Sequence, residues 1–310
     1  MWGHEEFLGK AKLYFGRAAA LEEDENEEVM LWLLLGLEFL LRAPLARIHP
    51  ALLALPEGDS LLHAVGVTRA NARPRSIPTK SVVDRLTKVD PNFGEDRGKE
   101  ALYLADLRNE ELHSAEAALQ NASPDVWMPK LLSVVEATCR VLDLDPTDFL
   151  AESIIQQAET YRESANRATR HQVSQLIAEA TSHYARLTDE EKAIRRAARP
   201  STMPYGSRTV LACPACSEQS AYVLLSEGRP SRAEYDEAAQ EIRYSVVRVA
   251  ESLQCRVCTL TLSTTAQIVA AGLQRLYVES YAEDRHEGWE ELMTYEDAAR
   301  FLGADDYGND

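Results

Sequence analysis

Two groups of side chains in this chain have types and spacings that could do chemistry. The first lies in Leu107-Arg108-Asn109-Glu110-Glu111-Leu112-His113-Ser114. Five steps of about 100° leave Arg108 and His113 about 140° apart on an ideal helix, while Asn109 and His113 (i, i+4) share a face. Arg108 stands where the stripe Ala101, Ala105, Leu112, Ala115, Leu119 calls for another hydrophobe. A fixed cation on a packing seam is costly unless it is paired or used. Spacing alone is a weak signal, since Arg42 and His49 nearly repeat it. Pro44 interrupts that second pair, so no continuous helix can present both groups.

The second group is Cys213-Pro214-Ala215-Cys216 with Cys255-Arg256-Val257-Cys258. Two residues between cysteines let both thiolates of a turn face one ion, and two such turns complete a tetrahedron. The pattern therefore reads as a structural zinc site with Cys213, Cys216, Cys255 and Cys258 as ligands. Four thiolates leave no open coordination position, which argues against catalysis at the metal. The competing readings are disulfides, disfavoured in a reducing compartment, and a redox CxxC, disfavoured when there are two. Cys139 is an isolated small hydrophobe with no assigned role.

The elements that must carry these groups follow from periodicity and punctuation. Gly98 to Asn121 predicts one unbroken helix. Asn26 to Ala43 predicts a helix apolar nearly all round, from Val29 to Leu40, which belongs in a core or at a subunit interface. Its interior charges, Glu38 and Arg42, stand at i, i+4 and predict a mutual ion pair. Pro44, Pro50, Pro56, Pro74 and Pro78 divide 44–78 into short pieces. A helix is expected over 129–142, and a long helical region over 147–199. After Thr209 the pattern turns to strands: 210–213, 221–226, 244–250 and 259–263, with a helical insertion from Ser231 and a closing helix over 265–276. The expected fold class is mostly α, α+β overall. Its parts are a helical domain (1–145), a helical arm (146–200), a zinc-ribbon domain (207–278) and an acidic tail (279–310).

Composition sets bounds. Of the 310 residues, 45% are hydrophobic, enough for a real core, and the net charge is −17, which disfavours a general nucleic-acid coat protein. The acids are concentrated in 279–310 and in Glu22–Glu28, whereas Arg69 to Lys99 is locally basic and leads into the Arg108 helix. The polar, acidic start carries no secretory signal, and Val29–Leu41 is too short and, with Glu38, too polar to span a bilayer. A cytoplasmic protein with no membrane association is the expectation.

Arg108-Asn109 followed by His113 on a helix, after an apolar helix containing Leu37-Glu38-Phe39-Leu40-Leu41, resembles the HEPN superfamily. The resemblance covers roughly residues 1–145. It implies a metal-independent endoribonuclease of the toxin–antitoxin or anti-phage defence type. His113 would exchange the proton at a 2′-hydroxyl or 5′-oxygen, and Arg108 would face the charge growing on phosphorus. Asn109 would orient the imidazole or bond the phosphate. The products would be a 2′,3′-cyclic phosphate and a 5′-hydroxyl, with RNA as substrate and DNA inert. It also implies a homodimer with a composite site, and leaves room for an antitoxin or defence-system partner. The alternative is a non-catalytic HEPN-like RNA-binding or adaptor protein. The cysteine module resembles zinc ribbons appended to helical proteins of this kind, so the one expected cofactor is structural Zn2+, with no catalytic metal.

Overall fold

The computed structural model describes residues 2–21, 26–67, 70–90, 93–197, 208–231, 233–237, 239 and 241–284. Of the described residues about 60% are helical, and with a small antiparallel sheet they form a mixed α+β fold in which helix dominates. Two compact units divide it, Met1–Ala165 and Asn166–Asp310.

Unit 1 is built on α1 (His4–Ala19), α2 (Asn26–Leu40), α3 (Ala43–Ile48), α4 (Gly58–Ala64), α5 (Thr79–Val89), α6 (Gly94–His113), α7 (Ala118–Asn121), α8 (Pro124–Leu142) and the first part of α9 (Glu152–Arg186). Helix α2 is its centre: Met30, Leu33, Leu34, Leu37 and Leu40 are all buried. Each such side chain contributes roughly 1.5–3 kcal/mol by leaving water. Gly36 lets α1 lie close, because a Cβ there would sit 3.0 Å from the Phe15 ring. The stretch Glu27–Ile48 is long and apolar enough to cross a membrane by composition, yet 67% of its apolar window is buried within the fold, as in a core helix. Gly98 does for α6 what Gly36 does for α2, since a Cβ would come within 2.9 Å of Thr87 on α5. That close approach sets α6 down on the core with Gly98, Ala101, Leu104 and Arg108 inward.

The expected helix over 98–121 is interrupted. Helix α6 stops at His113, Ser114 is extended (φ −111°, ψ 175°), and α7 begins only at Ala118. Side chains satisfy the backbone across the break: Ser114 Oγ accepts from the Glu116 N–H (3.0 Å), and Glu111 Oε2 accepts from the Leu119 N–H (3.1 Å). Such local bonds offer the chain an alternative to continuing the helix. Leu112, placed in the apolar stripe by periodicity, is half exposed in consequence. Helix α8 begins five residues earlier than expected, at Pro124, a residue suited to the first helical position.

Unit 2 holds the rest of α9, then α10 (Asp189–Ala197), and an antiparallel sheet with a short helix. Its strands are β1 (Arg208–Ala212), β2 (Gln219–Leu225), β3 (Arg229–Pro230), β4 (Glu234–Asp236), β5 (Glu241–Cys255), β6 (Thr261–Leu262) and β7 (Leu276–Asp284), with α11 (Thr265–Ala270) between the last two. The 15-residue β5 is the spine. Its last part pairs with β2 and β6, and its first part with β3, β4 and β7. Two expectations change here. The insertion expected to be helical from Ser231 contributes β4, because Glu234, Tyr235 and Asp236 find ladder partners in Arg243, Ile242 and Glu241. The helix expected over 265–276 ends at Ala270, near Gly272 with its φ of +78°, and 276–284 forms β7. The acidic tail expected from Glu279 therefore starts inside the sheet. The rest of it, 285–310, and the segment 201–207 ahead of β1 lie outside the described residues.

Candidate functional site

Arg108 lies near the C-terminal end of α6, nine-tenths buried, and is held on two sides. One terminal nitrogen pairs with Glu38 Oε2 on α2, and the other donates to Asn109 Oδ1 at 2.6 Å. Glu38 is shared. Arg42, one turn on along the chain, pairs with its Oε1 at 3.0 Å and donates to its carbonyl at 2.8 Å and to the Ile77 carbonyl at 3.4 Å. Thr79, at the start of α5, donates its hydroxyl to Glu38 Oε1 at 3.4 Å. The ion pair expected between Glu38 and Arg42 is present, but it is one arm of a bridge between two buried arginines.

Those groups line a cavity of about 380 Å³, completed by Pro78, Lys80, Leu102, Ala105, Asp106 and Asn109. Burial lowers the pKa of Arg42 to about 10 and lowers that of Arg108 as well. Both remain cations at neutral pH, so a charged, preorganised wall faces the cavity. His113 lies elsewhere on the helix. It ends α6, is exposed, and does not line the cavity. Helical rise puts it about 7.5 Å further along the axis than Arg108. Within one chain Arg108 and Asn109 are joined directly, and His113 is presented separately.

Glu38 as partner of Arg108, Thr79 and the Ile77 carbonyl were not found from the sequence. A usable signal was there: the acid inside an apolar helix and the arginine on an apolar seam are anomalies of opposite sign, and pairing them satisfies both.

In unit 2 the four cysteines meet. The sulfurs of Cys213, Cys216, Cys255 and Cys258 all lie within 4.8 Å of one another. Cys213–Cys258 and Cys216–Cys255 are separated by 3.5 and 3.7 Å, and none is in a disulfide. A tetrahedron with zinc–sulfur bonds of about 2.3 Å has edges of about 3.8 Å, so the cluster fits a zinc ion. The two knuckles repeat one local design. The N–H of the first cysteine bonds the carbonyl five residues on (Glu218, 2.9 Å; Leu260, 2.8 Å), and the N–H of the residue after the second cysteine bonds back to the first (2.8 and 3.1 Å). That following residue has positive φ in both, 60° at Ser217 and 64° at Thr259. Ser220 Oγ lies 3.2 Å from Cys255 Sγ, and the Ala215 N–H is 3.4 Å from Cys213 Sγ, contacts that orient the ligands. The set can hold a metal ion such as zinc, as in a zinc ribbon. Cys139, by contrast, is buried in unit 1, and burial pushes its thiol up to about 12, an inert side chain.

The helices of unit 2 grip the first knuckle. Glu218 takes two bonds from Arg196 on α10 (3.0 and 2.5 Å) and one from the Tyr184 hydroxyl on α9 (2.6 Å). Arg195 donates to the Val257 carbonyl of the second knuckle at 2.9 Å. Val173, Ala180 and Leu187 pack in one cluster with the buried cysteines.

No family model, curated protein or solved structure matches the chain.

Proposed function

We propose that the chain is a metal-independent endoribonuclease of the HEPN type, acting as a toxin or anti-phage defence effector, with a structural zinc ribbon. The observation that supports this reading is Arg108, a nine-tenths buried cation fixed by Glu38 and Asn109 in the wall of a cavity. An arginine so placed loses little on meeting a phosphate oxygen, because its orientation is set in advance. Asn109 then positions Arg108, the role closest to its observed bond. His113, whose intrinsic pKa lies near neutrality, takes the proton of the 2′-hydroxyl or returns one to the leaving 5′-oxygen. The axial and angular separation of Arg108 and His113 on one helix fits a composite site in which a second copy of the chain supplies the other half, a homodimer.

The test is cleavage of single-stranded RNA by the full chain in EDTA, with the product ends identified. Arg108→Ala and His113→Ala are each expected to lose cleavage by roughly 10²–10⁴-fold while still dimerising. RNA cut at the wild-type rate by His113→Ala would sink the assignment.

One observation favours a second reading, a non-catalytic RNA-binding or adaptor protein. Both terminal nitrogens of Arg108 are already engaged, as a purely structural ion pair would have them. On that reading Arg108→Ala alters stability, and wild type and variant are equally inert toward RNA.

A further inference from the structure

The bridge of α2 and α6 is unbalanced in charge. Arg42 and Arg108 are 5% and 8% exposed, and the carboxylate they share belongs to Glu38 alone. At the cavity rim Lys80 and Asp106, both exposed, cancel one another. The wall therefore keeps one positive charge in excess, out of water and facing an open cavity. A charge withdrawn from solvent is expensive unless an opposite charge meets it. Among the described residues no second acid pairs with either arginine; a ligand of charge near −1, such as one phosphodiester, supplies that charge.

We propose that Glu38, Arg42 and Arg108 form a preorganised clamp for one phosphate group of single-stranded RNA, with Glu38 as positioning residue and Arg42 as the second cation. The identity of the ligand as RNA rests on the ribonuclease reading; the clamp itself rests on the charge and the cavity. Glu38 holds the two guanidiniums on opposite oxygens, so like charges share one wall without separating. Thr79 and the Ile77 carbonyl fix the other side of the bridge. Arg108 touches the phosphate, Arg42 adds field from behind it, and Lys80 attracts the backbone from the rim.

The probe is a short 2′-fluoro oligonucleotide, which offers RNA's phosphates without the attacking hydroxyl, and the readout is fluorescence anisotropy with the full chain. Glu38→Gln and Arg42→Lys are each expected to weaken binding roughly tenfold, because each loosens the fork while leaving a polar group in place. Lys80→Glu, on the exposed rim and harmless to folding, is expected to weaken it comparably and to flatten the salt dependence. In cleavage assays the Glu38→Gln loss is expected in KM more than in kcat. Wild-type affinity in folded Glu38→Gln, or in Lys80→Glu where Glu38→Gln does not fold, would overturn the clamp. Glu38-dependent binding without cleavage of any natural RNA leaves the clamp and sinks the ribonuclease reading. Cleavage with an unchanged KM in Glu38→Gln does the reverse.

Discussion

The cysteine cluster of unit 2 and the arginine–glutamate bridge of unit 1 are both buried polar constellations, and they are assembled in opposite ways. Each knuckle is local: four consecutive residues, one repeated hydrogen-bond pattern and a positive φ at the same position fix two ligands at once. Only the meeting of the two knuckles is long-range, and the β2–β5 ladder enforces it by pairing Ala221 with Cys255. The bridge has no local unit beyond Glu38 and Arg42. Arg108 reaches it from 70 positions away in sequence, because Gly98 lets α6 settle on α5. A site made of repeated turns is expected to depend on a bound ion for stability, whereas a site made of packed helices depends on the balance of its own charges.

The largest expected effect breaks the first half of that contrast. Structural zinc sites contribute apparent free energies of about 10–16 kcal/mol to small domains. Stripping the metal with a strong chelator, or changing Cys255→Ser, is expected to abolish the cooperative unfolding transition of unit 2 and leave that of unit 1 intact. Calorimetry paired with metal analysis reads both. An unshifted unit 2 transition after complete removal of the metal would show that the sheet and the gripping helices suffice without it.

The second effect is smaller and concerns the bridge. Glu38→Ala leaves two buried arginines facing each other, and breaking a buried pair from one side costs about 3–5 kcal/mol. Arg108→Met removes the other kind of partner and leaves Glu38 with Arg42, so its expected cost is below that of Glu38→Ala. Chemical denaturation of the two variants measures the difference directly. Equal costs would mean that Arg42 does not share the carboxylate in solution. The same pair separates stability from chemistry, because Arg108→Met is expected to lose RNA cleavage at little structural cost.

The ease of reading each site from sequence follows the same division. The meeting of Cys213, Cys216, Cys255 and Cys258 was legible because their spacing is their geometry, and the mixed, mostly helical fold followed from periodicity. Helix α2 was recognisable as a core element because no face of it is polar. What periodicity could not supply was the choice between local and tertiary bonding. Ser114 and Glu111 divert backbone N–H groups that the pattern had assigned to a continuous helix, and Ile242 and Arg243 draw Glu234–Asp236 into a ladder that its composition does not announce. Arg108 was visible as an anomaly, but its partner was not, since Glu38 already had a sufficient one in Arg42. A carboxylate has two oxygens, and a sequence does not say that both are used.

The smallest effect sharpens the comparison by asking how far the cysteine module leans on its helices. Glu218, between the first knuckle and β2, is held by Arg196 and Tyr184, and those bonds lower its pKa to about 2. Its ordinary value is 4.5. A group whose folded pKa lies below its unfolded one contributes stability that is present above the unfolded value and is lost as pH falls through the folded one. Unit 2 of the wild type is therefore expected to lose stability between about pH 4.5 and about pH 2, in addition to any loss from metal release. Glu218→Gln keeps a hydrogen-bonding group but cannot titrate, so in that window its profile flattens and converges on the wild type at the acid end. At neutral pH the variant differs little, because solvent-screened pairs are worth about 0–1 kcal/mol. Comparing the two at matched metal occupancy isolates the helix grip from the ion. Superimposable acid profiles would mean that the Glu218 bonds add nothing to the grip, which then rests on the packing of Val173, Ala180 and Leu187 and on the Arg195–Val257 bond.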